Sequence, residues 1–236
     1  MEPEYGGLGR VLDPQTPRAM ALHPVRIASS ARIRRMWAQI LFLNQGNTGT
    51  CVGNAFTHRR ADAPTKVRGL DEKWARDLYL AASARYYGTP DTSMLKGTSA
   101  QSACDELLAR GEISSFEWIG NWNATAQELR ATILEVGPIL VGSNWYQSMD
   151  TPVPRGKGEH LYTRVDYSTA MRGGHEYVIN GIDLDPEDGS PPYYRMKNSW
   201  GQRWGDDGMS RFRLGDLERL IFGGWGDAVL IKEVKV

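Results

Sequence analysis

Cysteine is nearly absent: the 236 residues hold two, Cys51 and Cys104. That excludes a disulfide framework, and with it the small stapled scaffolds of secreted proteins. Histidine is scarce too, so any chemistry that needs an imidazole must choose among His23, His58, His160 and His175. The apolar run ILFL (40–43) falls far short of the roughly 20 residues that a membrane-spanning helix requires. Charge of one sign is missing, because Lys+Arg and Asp+Glu both number 28. Such a balance leaves no electrostatic footprint for nucleic acid or for an anionic membrane. There is no internal repeat and no low-complexity tract. The N-terminus lacks the basic start and apolar run of a secretory signal. The expectation from these absences is a cytoplasmic protein that partners neither nucleic acid nor membrane. They carry no signature of oligomeric state.

What is present is an ordinary globular composition, 41% hydrophobic and 24% charged. It suffices for a real core, in one large domain or in two lobes sharing an interface. Residues 1–25 mix Pro, Gly and charge without periodicity and read as an extended arm on the surface, part of an N-terminal arm spanning 1–40. The cluster ASSARIRRMW (28–37) has three arginines with no aromatics between them, and reads as a solvated or ion-paired face. A mainly helical region follows over 41–138. In DEKWARDLYLAASARYY (71–87), Trp74, Leu78, Ala81 and Ala84 recur at helical spacing behind Asp71 as N-cap. TSAQSACDELLARG (98–111) repeats the pattern with Gly111 as its stop, and places Cys104 on a core face. TAQELRATILEVGP (125–138) opens on a Thr125–Glu128 capping box.

After Pro138 the period shortens. The segments ILVGSNWY (139–146), EYVINGID (176–183), YYRMKNSW (193–200), GMSRFRL (208–214) and AVLIKEVKV (228–236) are short, β-branched or aromatic, and bounded by Gly, Pro and Asp. A mainly β region over 139–236 is expected. Helices first and antiparallel strands second make an α+β protein of two lobes with a cleft between them. The acidic stretch DLDPEDGSPP (183–192) fails the calcium-loop spacing, which puts Asp188 where Gly is needed and Tyr194 where Glu is needed. It reads as a hairpin loop, and no metal or organic cofactor is expected.

The stretch LNQGNTGTCVGNAF (43–56) places Cys51 where a turn hands over to a helix N-terminus. A thiol attacks a carbonyl only as thiolate, and unpaired N–H groups at a helix start lower its pKa, as does a neighbouring imidazolium. His175, in RGGHEYVINGID, leads into a strand behind two glycines. Asn198 lies near the end of another, two residues before Trp200. An amide oxygen that accepts a ring N–H fixes the tautomer and orientation of an imidazole that shuttles protons.

Together these blocks resemble the papain family of cysteine peptidases. NQGNTGTCVGNAF is similar to that family's Gln–turn–Cys–helix element, GGHEYVINGI to its histidine strand, and YRMKNSWGQRWGDDGMSRF to its Asn-Ser-Trp-Gly block. The similarity runs loosely from about residue 40 to the end. It implies a papain-like catalytic domain, helical lobe first and β-barrel-like lobe second, that hydrolyses polypeptide substrates. It further implies Cys51 as nucleophile, His175 as general base, Asn198 orienting His175, and Trp200 shielding that contact. Gln45 would give its side-chain amide, beside the Cys51 N–H, to the oxyanion. His160 is the alternative base, while His58, two turns into the Cys51 helix, has no implied role.

This sequence departs from the family pattern at Val52, where a large aromatic is usual, at Glu176, where alanine commonly follows the histidine, and at Thr48, where a disulfide cysteine is frequent. Fifty residues precede Cys51, too few for a long inhibitory pro-segment plus the start of the fold. The resemblance is therefore to compact bacterial- or phage-type members, with restraint expected from another source. The same thioester chemistry would serve an amidase, isopeptidase or transpeptidase, and a non-catalytic module could keep the fold. The aromatics of 144–167, expected to border the cleft, would favour an apolar substrate side chain.

Overall fold

Alternation along three neighbouring strands determines the architecture. The chain is seen in a computed structural model that describes residues 7–12, 30–120, 124–155, 160–223 and 226–234. Strands β1 (Arg34–Met36), β2 (Ile113–Ile119), β3 (Ile139–Tyr146), β4 (Val153–Pro154) and β5 (Leu161–Tyr162) are followed by β6 (Met171–Asp183), β7 (Tyr193–Lys197), β8 (Met209–Arg213) and β9 (Asp227–Glu233). They form one sheet in the order β2-β9-β3-β6-β7-β8-β5-β4, with β1 added on β6. All pairings are antiparallel except the short β5–β8 contact. The sheet is open, not closed into a barrel.

Because successive side chains point to opposite faces, Leu140, Val178, Val229 and Ile231 face one way, and Val141, Tyr177, Ile179 and Leu230 the other. The first set packs on α1 (Cys51–Ala61), α2 (Glu72–Tyr87) and α3 (Ala100–Ala109). The second packs on α4 (Ala126–Glu135) and α5 (Leu214–Phe222). Both faces of the central strands are buried, which is why they read as continuous apolar runs and not as alternation.

The expected caps are present. The Asp71 side chain accepts the Trp74 N–H at 2.8 Å. The Thr125–Glu128 box is closed from both sides, at 2.7 and 3.3 Å. Gly111 has φ +66° just past α3. The arginine cluster is an ion-paired face, as expected: Arg32 meets Glu135, Arg34 meets Asp183 and Glu187, and Arg35 stacks on Trp37. The 183–192 stretch links β6 to β7, and among the described residues no group of His, Cys, Asp and Glu is arranged to hold a metal. No described helix is long and apolar enough to cross a membrane.

Three features differ from the sequence reading. Residues 113–119, inside the region read as helical, form strand β2 against β9. Leu217, Leu220 and Ile221 give α5 its buried face, a helical spacing that lay beyond the strand read as ending at 214. On α2 the buried stripe is Ala75, Leu78, Tyr79, Ala82 and Ser83, with Trp74 at its margin. The Tyr79 hydroxyl donates to Asp91 at 2.6 Å, and this inward bond rotates the stripe by one position.

A buried polar cluster joins the far end of α1 to the sheet. Asp62 takes the Lys197 ammonium at 2.5 Å, both side chains fully buried, and also accepts the Ile40 N–H at 2.7 Å. Nearby, His58 Nε2 accepts the Leu43 N–H at 2.9 Å, so this ring is neutral and structural. Removing one partner strands a buried charge, so Asp62→Ala should lower unfolding free energy by about 3–5 kcal/mol in denaturant titrations, and Asp62→Ala with Lys197→Met by clearly less. Burial, then Lys197, holds the His58 pKa well below 6.5. The unfolded chain therefore takes up a proton below about pH 6.5 that the folded chain refuses. Stability is full above that pH and falls beneath it, by about 1.4 kcal/mol per pH unit. His58→Gln should reduce that slope in unfolding curves measured between pH 7 and about pH 5.

Candidate active site

Thr50, without a side-chain cap bond, precedes α1, so Cys51 is the first helical residue and its sulfur lies among unpaired N–H groups. The main-chain N–H groups of Glu176, Gly9 and Val52 lie close to the sulfur and favour its charged form. The Glu176 contact sets the thiol beside the start of the buried part of β6, where His175 is the preceding residue. His175 Nε2 lies 2.8 Å from Asn198 Oδ1, and His175 Nδ1 has no hydrogen-bond partner. The Asn198 oxygen also accepts the Ser199 N–H at 2.8 Å, which fixes the amide.

Aromatic rings enclose the imidazole. Trp200 lies over it with centroids 5.1 Å apart and planes tilted 35°, and Trp145 meets it edge-on at 4.7 Å. Trp145 is anchored through Nε1 to Asp150 at 2.9 Å. Sequence reading did not single out Trp145, although it lies on β3 two residues beyond Ser143, which pairs with His175. It is fully buried beside the imidazole.

Gln45 reaches the site through backbone pairing. Its N–H donates to the Ser199 carbonyl at 2.8 Å, Asn44 bridges Trp200, and the Gly201 N–H donates to Leu43 at 3.0 Å. The Ser199 hydroxyl donates to Gln45 Oε1, turning Nε2 toward the carbonyls of Gly7 and Thr48 at 2.9 and 2.7 Å. Ser199 is a positioning residue that the sequence motif contains and that attention to Asn and Trp passed over. Beyond the 44–50 turn, Thr50, Asn54, Arg76 and Met94 line a cavity of about 290 Å³.

The described part of the N-terminal arm is not on the surface. Residues 7–12 run through the cleft: the Arg10 N–H donates to Gly174 at 3.0 Å, the Thr98 N–H to Gly9 at 2.7 Å, and the Val11 N–H to Thr98 at 2.8 Å. Glycine is required at position 9, since a Cβ there would lie 1.9 Å from the Gly49 carbonyl oxygen. With this segment in place Cys51 is 0% exposed. Burial pushes its thiol up to about 12, against the nearby N–H groups, and burial lowers His175 to about 4, against its Asn198 bond. Both groups are therefore neutral between those values.

The remaining candidates fall away from this centre. Cys104 is a free, buried thiol in the α1–α3 core, and Cys51 is also free. His160 is a partly exposed loop residue paired with Asp188 at 3.2 Å. His23 lies outside the described residues.

Comparison with known proteins agrees with this fold. The family model described as papain family cysteine protease matches residues 73–219, a span that includes His175, Asn198 and Trp200 and begins after Cys51. Cathepsin C of Schistosoma mansoni is 26% identical over 110 residues, 44% of this chain and 24% of that protein. The chain thus spans about a quarter of the length of that curated relative. Among solved structures, xylellain, a cysteine protease from Xylella fastidiosa, superposes with a TM-score of 0.61 at 15% identity, covering 98% of this chain and 97% of that one. Procathepsin B S9 from Trypanosoma congolense gives 0.63 at 12% identity over 97% and 87% of the chains. Bromelain from Ananas comosus, in complex with the E64 inhibitor, gives 0.61 at 16% over 86% and 100%. These likenesses place the fold, and the family model spans more than half the sequence: the chain belongs to the papain family of cysteine proteases.

Proposed function

We propose that the chain hydrolyses peptide bonds through a thioester on Cys51. The observation that carries this reading is the His175 ring, held through Nε2 by Asn198 while Nδ1 has no partner beside the Cys51 helix start. In this reading Nδ1 takes the thiol proton as the sulfur attacks the scissile carbonyl. The oxyanion accepts from the Gln45 Nε2 hydrogen that the Gly7 carbonyl gives up when the arm leaves, and from the Cys51 N–H. His175 then protonates the departing amine, and water, deprotonated by the same ring, hydrolyses the thioester. Asn198 keeps the ring in one tautomer, and Trp200 keeps water from that bond. The substrate is a polypeptide, and the chemistry draws on no metal or organic cofactor.

Segment 7–12 must leave for this to proceed, since a 0% exposed thiol cannot meet a carbonyl. Departure restores water to the cleft, which relieves the burial that keeps both groups neutral and favours the thiolate–imidazolium pair.

Three outcomes test this. Gln45→Ala should lower kcat for peptide hydrolysis by about 10²–10³ with little change in KM, because its amide acts on the transition state. Cys51→Ala should abolish hydrolysis; persistence of turnover in that variant would overturn the reading. In the resting chain, carbamidomethylation of Cys51, followed by peptide mapping, should be slow from about pH 5 to about pH 9, at least roughly tenfold below an exposed thiol, and should climb steadily with pH with no plateau in that range. Rapid labelling already at pH 6 would show an ion pair formed with the segment seated.

A further inference from the structure

The short turn that follows β3, Gln147–Met149, ends at Asp150, which is 6% exposed. Its carboxylate and its carbonyl each hold an indole. Trp145 Nε1 donates to Oδ1 at 2.9 Å, and Trp204 Nε1 donates to the main-chain oxygen at 2.8 Å. Both indoles meet Trp200 edge-on, with centroids 5.3 and 5.7 Å away, and Trp145 also meets the His175 ring. Asp150 thus fixes the two outer rings of the group in which Trp200 lies over the imidazole. The same Oδ1 takes the Arg172 guanidinium at 2.7 Å.

Arg172 reaches that place through an irregularity in β6. Trp145 pairs with Gly173 and Tyr146 with Met171, so Arg172 is the extra residue of a bulge. In regular alternation a residue three before His175 would face away from the ring. The bulge, with Gly173 at φ +147°, turns it to the imidazole's side. An anchor for two indoles needs no charge, since an amide oxygen accepts an indole N–H as well. What a carboxylate adds is compensation of Arg172. Burial first, and then the Arg172 cation, lower His175, against its Asn198 bond. The other titratable groups at the ring are Cys51 from α1 and Tyr177 from β6, whose phenol burial keeps neutral. Glu176, with Arg10 and Asp227, lies on the opposite face of the sheet. Among the described residues, Arg172 is the fixed charge that acts on the ring, and Asp150 the group that balances it.

We propose that Asp150 is a positioning residue for the reaction at Cys51: its carboxylate holds Trp145 against the His175 ring and neutralises Arg172, so that the imidazolium which protonates the departing amine forms beside a balanced pair. The proposal rests on the peptidase reading of His175 and adds the residue that keeps its ring in place and able to carry a proton. Asp150 acts through Trp145 and Arg172, not on the reacting atoms.

Three variants separate charge from anchoring. Asp150→Asn keeps an acceptor for Trp145 and removes the charge, Asp150→Ala removes both, and Arg172→Gln removes the cation. An uncompensated cation favours the neutral ring. In Asp150→Asn the alkaline limb of kcat/KM for peptide hydrolysis should therefore move to lower pH by about 0.5 pH unit or more, with KM little changed. Adding Arg172→Gln should return the limb to its place. Asp150→Ala should also lower kcat at every pH, by about 10- to 10²-fold, as Trp145 loosens. Histidine NMR reads the same pair without turnover, the His175 signal being identified by its absence from His175→Ala. In the resting chain its midpoint, about 4, should drop in Asp150→Asn and rise in Arg172→Gln. Midpoints unmoved in both variants overturn the proposal whatever the kinetics show. Activity lost in Asp150→Asn with the limb unmoved, or not restored by Arg172→Gln, marks a merely structural residue and overturns it too. Turnover that persists in Cys51→Ala overturns the peptidase reading, and the midpoints then still decide whether Asp150 governs the ring. If Asp150→Asn does not fold, Arg172→Gln, a change at a partly exposed side chain, tests the same pair in the opposite direction, with limb and midpoint both expected to rise.

Discussion

The pair between Asp62 and Lys197 is the contact from which the site takes its geometry. Asp62 caps the end of α1, the helix that Cys51 begins, and Lys197 ends β7, immediately before Asn198. Asp62 also holds the Ile40 N–H, at the start of the stretch that delivers Gln45. One buried carboxylate thus joins the three chain segments that carry Cys51, Asn198 and Gln45. Two charges taken out of water gain little net energy over well-packed apolar groups. Their worth here is directional, since a pair with no water to turn to tolerates only one arrangement of helix, strand and loop. His58 acts similarly from one turn back on α1, holding Leu43 two residues before Gln45.

That rigidity sets the frame, and desolvation sets the chemical state within it. The helix start and three nearby N–H groups favour a thiolate at Cys51, yet burial outweighs them. The same imbalance keeps His175 neutral in spite of Asn198. Neither group needs to be displaced for the site to rest; excluding water is enough. Segment 7–12 excludes it with glycines at 7 and 9, where the backbone passes against the turn before Cys51. The segment that covers Cys51 is six described residues, 7–12, read from the sequence as a surface arm. Sequence reading looked for a long pro-segment and missed a short occupant, because Gly-Gly-Leu-Gly-Arg has no periodicity to mark it.

What was legible in the sequence follows from which features are local. The caps at Asp71 and Thr125, the start of α1 at Cys51 and the five later strands each depend on a few neighbouring residues, and each was read near its observed place. The α2 stripe was read one position off because Tyr79 turns inward to Asp91, a contact made across the fold. Strand β2 was absorbed into the helical region because its partner, β9, lies more than a hundred residues away. The Cys51, His175 and Asn198 blocks were found by motif, while Trp145, Ser199 and Asp227 were not. Ser199 lies inside the Asn-Ser-Trp-Gly block and was passed over, while Trp145 and Asp227 have no spacing relation to the motif residues and are brought there by register and packing. Glu176 follows His175 on β6 and so points to the opposite face from the imidazole, and what it faces there is set by the register of three strands.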